Sequence, residues 1–409
     1  MLGNFEHPYF LQQGEHMKVL VSNVGSTSLK FKLYEMPQEL LLCESRVERV
    51  GDTQNAIFEY TRSTDGKQVR KEHIAIPSYT AGIELFLQYL TEGGLAVLAS
   101  KDEIGRIGFK TVLSKGHYGV HLLDGDTMKG MQDSLFVAPV HNAAYLEAIS
   151  QFDVLFPDTP KIGVFETAFH ISIPIERKLY AIPYAWYEKY GIMRMGYHGA
   201  SHSYIAKQAA LYGKSEKLIS CHLGGSCSVC AIENGKSVDT SFGYSLQTGV
   251  MHANRCGDTD AYLIPFLEAQ GLSRDEILEG LSKKGGLLGI SGVSNDMRMV
   301  EEAAENGNGR AALAIRCFVN NIVKFIGAFY AELGGLDQLV FTGGIGENDS
   351  RIRSEVCEKL RHMGIDLDEA RNAQSRCGVI STGSSPVTVS VIPANEELGV
   401  ARETYGYRN

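Results

Sequence analysis

The segment LISCHLGGSCSVCAIENGKSVDTSFGYSLQTGVMHANRCGD, Leu218–Asp258, decides how this chain folds. It opens on an apolar run and breaks at Gly224-Gly225-Ser226. It resumes as a second apolar run, turns at Asn234-Gly235 and continues to Asp239-Thr240-Ser241. Asn-Gly between two β-prone runs is a strong hairpin signal. A Gly/Ser turn between strands leaves backbone N–H groups unshielded by side chains, and such a concavity suits phosphate. The third run leads into a glycine-spaced loop with one cation, Arg255, beside Asp258 and Asp260. The segment reads as a phosphate cradle followed by a charge-stabilising loop.

Residues 18–35 repeat the plan. Val19-Leu20-Val21 is apolar, Asn23-Val24-Gly25-Ser26-Thr27-Ser28 is a turn, and Leu29, Phe31 and Leu33 then alternate with Lys30 and Lys32. That alternation marks a half-buried strand. VSNVGSTSLKFKL and SCHLGGSCSVCAI share an order of apolar run, polar residue, glycine, serine pair and alternating strand. Two domains of one ancestral type would explain it; two unrelated hairpins are the competing reading.

Between and beyond these hairpins the chain alternates strand-like and helix-like stretches. Residues 81–98 carry Ile83, Phe86, Leu87 and Leu90 at helical spacing. Arg106–Leu113 reads as a buried strand containing Lys110, which either snorkels to an edge or points into a cleft. Lys161–His170 is an apolar strand ending in the acid Glu166, either a metal-binding carboxylate or a solvated strand end. In Met195-Gly196-Tyr197-His198-Gly199-Ala200-Ser201-His202, two histidines four apart at a helix start could ligate a metal. The glycines around His198 favour a tight loop presenting one imidazole. Residues 259–334 read as largely helical, with a turn-rich loop at Gly289–Asp296 and a long helix over 309–334. Phe341-Thr342-Gly343-Gly344-Ile345-Gly346-Glu347-Asn348 reads as strand, glycine loop and helix, an arrangement that favours a nucleotide phosphate or base edge. It matches neither Walker A nor the full GxGxxG spacing.

The 409 residues carry a net charge of -9, so bulk electrostatics give no support to nucleic-acid or anionic-membrane binding. No run approaches the ~18 apolar residues of a membrane span, and residues 1–16 have no signal-peptide pattern and read as an extension. Eight cysteines include Cys227-Ser228-Val229-Cys230, but in a strand residues three apart point to opposite faces. Structural thiols in a reducing cytoplasm are the expectation.

Taken in order, NVGSTSLKF, ETAFH, YHGASH, HLGGSCS with NGKSVDTS, NRCGDTD, SGVSNDMR, FTGGIGEN and NEELGVARET make the chain resemble the acetate kinases and their propionate and butyrate relatives, from about Lys18 to Thr404. The resemblance implies an α/β fold of two duplicated actin-like ATPase domains (the sugar kinase/Hsp70/actin, RNase H-like type) with an interdomain cleft. The expected domains are residues 17–167 plus 397–409, and 168–396. It implies transfer of the ATP γ-phosphoryl group to a short-chain carboxylate, acetate first, giving an acyl phosphate and ADP, with Mg²⁺ or Mn²⁺, in a cytoplasmic homodimer. A kinase for a different small acid and a non-catalytic nucleotide-binding relative are the alternatives. By resemblance, Asn23, Ser26, Ser28 and Lys30 sit in the first phosphate hairpin, and His222, Gly224, Gly225 and Ser226 in the second. Asp296, Met297 and Arg298 match the nucleotide-contact segment, and Gly344, Ile345, Gly346 and Asn348 the adenine loop. His198 and Arg255 match the pair that stabilises the transferring group. Glu396, with Glu166 and Asn23, would hold the metal, and Val112, Val140, Tyr197 and Leu246 would line the acid pocket.

Several positions depart from the family pattern. Lys110 replaces an arginine that grips anions bidentately, and Glu166 replaces an aspartate one methylene shorter. Leu246 stands where a proline lines the methyl pocket, Gly225-Ser226 replaces Asn-Gly, and His252-Ala253-Asn254 is more polar than usual. The departures gather around the acyl and phosphoryl groups, while the adenine loop is intact.

Overall fold

The structure is a computed structural model describing residues 15–135, 137 and 139–408, with the backbone alone for residues 139–141. The extension 1–16 therefore lies almost wholly outside the described residues, as does the side chain of Val140. The described residues form two compact units, those up to 165 with those from 397 onward, and residues 166–396.

In unit 1, β1 (Met17–Gly25), β2 (Ser28–Met36), β3 (Leu40–Glu48), β4 (Ala56–Arg62), β5 (Lys67–Ile74), β6 (Ile104–Thr111), β7 (Val120–Leu122) and β8 (Lys161–Phe165) form one sheet ordered β5-β4-β3-β2-β1-β6-β8-β7. The run β1 to β5 is antiparallel, while β1, β6 and β8 are parallel. The helices Tyr79–Thr91 and Pro139–Leu155 cover one face, the first through the apolar stripe expected over residues 81–98, although that helix ends at Thr91, before Gly93-Gly94. Phe31 stacks on Phe86 at 4.4 Å, and Phe109 meets Phe152 edge-on at 5.1 Å. The C-terminal helix Glu396–Gly406 packs against β6 at Gly108, where a Cβ would lie 2.1 Å from Thr404 Oγ1.

Unit 2 holds β9 (Lys217–Leu223), β10 (Cys227–Glu233), β11 (Lys236–Thr240), β12 (Gln338–Thr342), β13 (Gly378–Val379) and β14 (Thr388–Val391), ordered β11-β10-β9-β12-β14-β13. Here too a central strand pairs antiparallel with its hairpin partner on one side and parallel with a later strand on the other. The pattern β3-β2-β1-β6-β8 thus recurs as β11-β10-β9-β12-β14, the duplicated arrangement of the actin-like ATPase fold.

The helix Gly309–Leu333 is, by length and composition, apolar enough to cross a membrane, which amends the expectation that no segment is. Arg316, Asn320, Asn321 and Lys324 interrupt its apolar run in the sequence, yet leave a continuous stripe on the helix. Ala311, Ile315, Phe318, Ile322, Ile326 and Phe329 bury that stripe in the same core as Ile219, Val229 and Phe341, so it is a core helix. Cys227 points into this core and Cys230 into a second cluster with Leu218, Ile232 and Ile205 on the other face. The CxxC pair therefore straddles the sheet. All eight cysteines are free, and Cys377 alone is exposed.

Two local differences have simple causes. Gly343–Asn348 is itself a helix rather than a loop before one, since its glycines impose no obstacle once Glu347 folds back to cap Gly343 N. The first half of Gly289–Asp296 is the end of a helix, Gly286–Ser291, closed by Gly292 in the left-handed conformation at φ 69°.

Candidate active site

The site residues of unit 2 are organised by one face of its sheet. Leu218, Ser220 and His222 alternate on β9, and the antiparallel register sets Ser228 opposite His222 and Cys230 opposite Ser220. The lower half of this face is apolar and the upper half carries serine and histidine. The helix Gly199–Gln208 matches it, with Ile205 over the apolar half and His198, Ser201 and His202 over the polar half. Ser201 Oγ lies 2.8 Å from His222 Nδ1 and Ser228 Oγ 2.9 Å from His198 Nδ1. The rings of His198 and His222 lie 4.2 Å apart between centroids, tilted by 35°.

His198 itself is left-handed, at φ 58° and ψ 27°. A β-carbon makes that conformation uncommon, and it is retained where surrounding structure imposes it. The imposing contacts are the neighbouring glycines. A Cβ on Gly196, itself at φ 72°, would lie 2.5 Å from His170 Cγ, and one on Gly199 would lie 2.4 Å from the Glu166 carbonyl oxygen. The His198 turn is thus pressed against Glu166.

The β9–β10 turn, Gly224-Gly225-Ser226, touches two further elements. A Cβ on Gly224 would lie 3.7 Å from Gly344 N, which puts the turn beside the FTGGIGEN segment. Gly225 O accepts from Ala253 N at 3.1 Å, and Cys227 N donates to His252 Nδ1 at 2.9 Å. His252 is a buried anchor between the turn and the Arg255 loop. Burial, reinforced by Arg255, pulls its pKa down to about 3, so it stays neutral and accepts through Nδ1. Arg255 donates to Leu246 O, and among the described residues no carboxylate pairs with it. Burial lowers its pKa, but a guanidinium starts so high that it keeps its charge. A half-buried cation beside a glycine-lined turn has the charge and N–H donors that an anion would need.

The glycine segment is tied down by two charged residues. Glu347 Oε1 accepts from Gly343 N and Ala394 N, both at 2.9 Å. Arg353, fully buried, donates to Gly346 O at 2.9 Å and Glu347 O at 3.0 Å while holding Asn372 through Nε and Nη2. Asn348 Nδ2 donates to Gly344 O. Asp296 caps the helix Met297–Glu305 and pairs with exposed Arg298, while Met297 and Ile345 pack in the core.

Glu166 is buried at 7% exposure, the first residue of unit 2, and Glu396 is its last. Beside Glu166, the buried hydroxyl of Thr167 has no hydrogen-bond partner among the described residues. Carboxylate and hydroxyl oxygens are hard donors that fit Mg²⁺. The His198/His202 pair does not form a metal site: both nitrogens of His202 lie on serine hydroxyls. Among the described residues no cluster of three His, Cys, Asp or Glu could hold an ion.

The pocket candidates fall differently. Tyr197 is 1% exposed, its hydroxyl donating to Tyr244 O at 2.7 Å and its ring against Phe242. Leu246 is partly exposed beside Arg255.

In unit 1, the β1–β2 turn carries Asn23, paired with Lys30, and Ser28, paired with Gly25. Tyr145 donates to Asn23 Oδ1 at 3.2 Å and accepts from Val24 N at 3.1 Å, and Tyr79 holds Gly25 O and Ser26 O. Ser26 and Lys30 are exposed on this hairpin. Lys110 is half-buried on β6 and Val112 buried just beyond it.

The acetokinase family model matches residues 18–402. This chain belongs to the acetokinase family. It is 44% identical over 398 residues to the acetate kinase of Dictyoglomus thermophilum, covering 95% of this chain and 98% of that one. Among solved structures, Porphyromonas gingivalis acetate kinase superposes with a TM-score of 0.84 at 37% identity, covering 95% and 98% of the two chains. A propionate kinase from Francisella tularensis gives 0.85 at 34%, covering 95% and 99%. This acetokinase-family chain accordingly has the two-domain actin-like ATPase fold of those kinases.

Sequence reasoning did not reach Ser201, Ser220, Ser228, Arg353 or Tyr145. Ser220 and Ser228 carried a readable signal, being small polar residues inside largely apolar strands, whereas Ser201 lies in a helix.

Proposed function

We propose that this chain is a carboxylate kinase that transfers the γ-phosphoryl group of ATP reversibly and in line to a short-chain carboxylate, acetate first, giving an acyl phosphate. The observation that carries this reading is Arg255. It is a half-buried guanidinium with no carboxylate partner among the described residues, on a loop bonded directly to the β9–β10 turn. A carboxylate is already ionised at neutral pH, so the reaction needs no general base. The barrier is the meeting of two anions, and fixed positive charge and N–H donors lower it. Arg255 neutralises the transferring group, His198 donates to it, and the turns at Gly224–Ser226 and Asn23–Ser28 hold nucleotide phosphates. Gly344, Ile345, Gly346 and Asn348 hold the base, with Asp296, Met297 and Arg298 on the nucleotide. Glu166, Glu396 and Asn23 would hold Mg²⁺, which when bound offsets the charge of the leaving phosphates. Lys110 is assigned to the acid or its phosphoryl group, and Val112, Val140, Tyr197 and Leu246 to the acid pocket.

The relatives act on acetate and propionate by name, and the name carries to this chain as a first choice of substrate. A second reading, a kinase for a different small acid, is favoured by Lys110 and Leu246 at positions that face the acid by resemblance. A cytoplasmic homodimer is also proposed, with exposed Trp186, Tyr190, Tyr262 and Phe266 as surface that a second copy would cover; sedimentation tests it.

Hydroxamate trapping over a panel of one- to six-carbon acids, with and without Mg²⁺, tests the main reading. Acyl hydroxamate from acetate that disappears on chelation is expected. No turnover with any acid despite measurable ATP binding would sink it. Turnover confined to a longer acid selects the second reading, and improved acetate use by Lys110→Arg would show that the arginine geometry is recoverable.

A further inference from the structure

The helix Gly199–Gln208 and the strands β9 and β10 hold a continuous chain of hydrogen bonds that ends on His198. Ser220 Oγ lies 3.0 Å from His202 Nδ1, His202 Nε2 lies 2.8 Å from Ser228 Oγ, and Ser228 Oγ lies 2.9 Å from His198 Nδ1. Ser220, Ser228 and His202 are each 0% exposed, so water cannot complete their bonding. The proton count then has one solution. Among the described residues, the partner of the Ser220 hydroxyl is His202 Nδ1. A buried O–H must donate, so Ser220 donates to Nδ1. His202 is neutral, because complete burial, with His170 and His222 nearby, holds its pKa well below the usual value. A neutral imidazole that accepts at Nδ1 carries its proton on Nε2 and donates it to Ser228 Oγ. Ser228 has one proton left to give, and it goes to His198 Nδ1.

We propose that Ser228, oriented by the buried Ser220–His202 pair, is a positioning residue that locks His198 in the tautomer bearing hydrogen on Nε2. The inference rests on the role given to His198 above and explains how the role is met without a charged imidazole. A neutral histidine can donate to a phosphoryl oxygen through one nitrogen only, and the tautomer decides which. With Nδ1 occupied as an acceptor, the donor is Nε2. The alternative, a doubly protonated His198, would set a cation 4.2 Å from the His222 ring and would turn the Ser228 bond round, Nδ1–H donating to Ser228 Oγ and leaving the buried Ser228 O–H with no acceptor in either histidine.

The test uses full-length protein labelled with ¹⁵N in its histidines. Two-bond nitrogen–proton correlation spectra distinguish a hydrogen-bearing ring nitrogen from a bare one, and the His198 signals are assigned by their loss in His198→Ala. In the ligand-free wild type, Nε2 is expected to bear the hydrogen and Nδ1 to be bare. Ser228→Ala should release the tautomer, seen as averaging of the two shifts. It should also lower kcat on the order of 10-fold while leaving the KM for ATP within about twofold. Ser228→Thr, which keeps the hydroxyl, should restore both the fixed tautomer and kcat. His202→Gln keeps an amide N–H at the Nε2 position and should retain the tautomer, and this variant carries the test if Ser228→Ala fails to fold. A hydrogen on Nδ1 in the wild type, or a fixed tautomer and undiminished kcat in Ser228→Ala, overturns the proposal. The spectra need no substrate, so they decide the tautomer whatever acid is phosphorylated, and the acid panel decides the reaction.

Discussion

The amide of Gly199 donates to the carbonyl oxygen of Glu166 at 2.9 Å, and a Cβ on Gly199 would lie 2.4 Å from that same oxygen. The His198 turn and the buried acid are therefore positioned by one backbone contact that only glycine permits. Gly199→Ala is expected to push Glu166 and His198 apart. Displacements of roughly 1 Å cost on the order of 100-fold in rate when they move reacting groups. Hydroxamate formation should drop by about that factor, with the thermal midpoint lowered by a few degrees only. An unchanged kcat would detach Glu166 from the site.

Arg255 should resist conservative replacement. Lysine offers one ammonium in place of a planar fork of N–H donors. Arg255→Lys is expected to lose on the order of 100- to 1,000-fold in kcat, the range for removing a donor aimed at developing charge. ATP affinity, read by calorimetry, should change far less. Equal losses in ATP binding and turnover would move Arg255 from the transferred group to the nucleotide.

Arg353 makes a different prediction because it touches the glycine segment from behind. Its removal strands the carbonyls of Gly346 and Glu347 and the side chain of Asn372 in a buried setting. Arg353→Met should cost roughly 2–4 kcal/mol in urea unfolding. It should also raise the KM for ATP more than it lowers kcat, since the helix Gly343–Asn348 loses its clamp.

Acid should destabilise the protein through its buried imidazoles. Burial lowers the pKa of His170 to about 4 and of His252 to about 3, and holds His202 well below its usual value. The unfolded chain takes up these protons near pH 6.5, and the native state refuses them until far lower pH. Their stabilisation is complete above about pH 6.5 and is lost as pH falls toward 4. Each contributes a slope of up to about 1.4 kcal/mol per pH unit. Urea midpoints measured at intervals between about pH 7.5 and 5 should fall accordingly, and His170→Gln should show a slope smaller by one proton.

Much of this was legible in the residues. Asn234-Gly235 announced the β10–β11 hairpin, the glycines around His198 announced a tight turn, and alternation in residues 29–33 gave β2 its buried face. These signals are local, with turn chemistry and side-chain period lying within a few residues of each other. The hydrogen-bond chain behind His198 was not legible, because Ser220, Ser228 and His202 come from two strands and a helix. Only the register that sets Ser228 opposite His222 brings them to one spot. Arg353 was hidden for a related reason: an arginine in a polar helix reads as surface, and only the close packing of Asn372 and Gly346 shows it to be buried. The long helix Gly309–Leu333 shows the converse, since its composition satisfies a membrane criterion that its packing contradicts.

The distribution of thiols gives the chain a built-in chemical handle. Cys377 is exposed while the remaining cysteines are partly or wholly covered, and burial pushes Cys227 up to about 12, where almost no reactive thiolate exists at neutral pH. A maleimide dye should therefore mark one position per chain without any engineering. That position adjoins Ser375, whose carbonyl lies 3.5 Å from Arg353 Nη2, the far end of the clamp on Gly346 and Glu347. A fluorophore there would sit two residues from the outer end of the Arg353 contacts on Gly343–Asn348, the segment proposed to hold the nucleotide, and its emission should change when ATP is added.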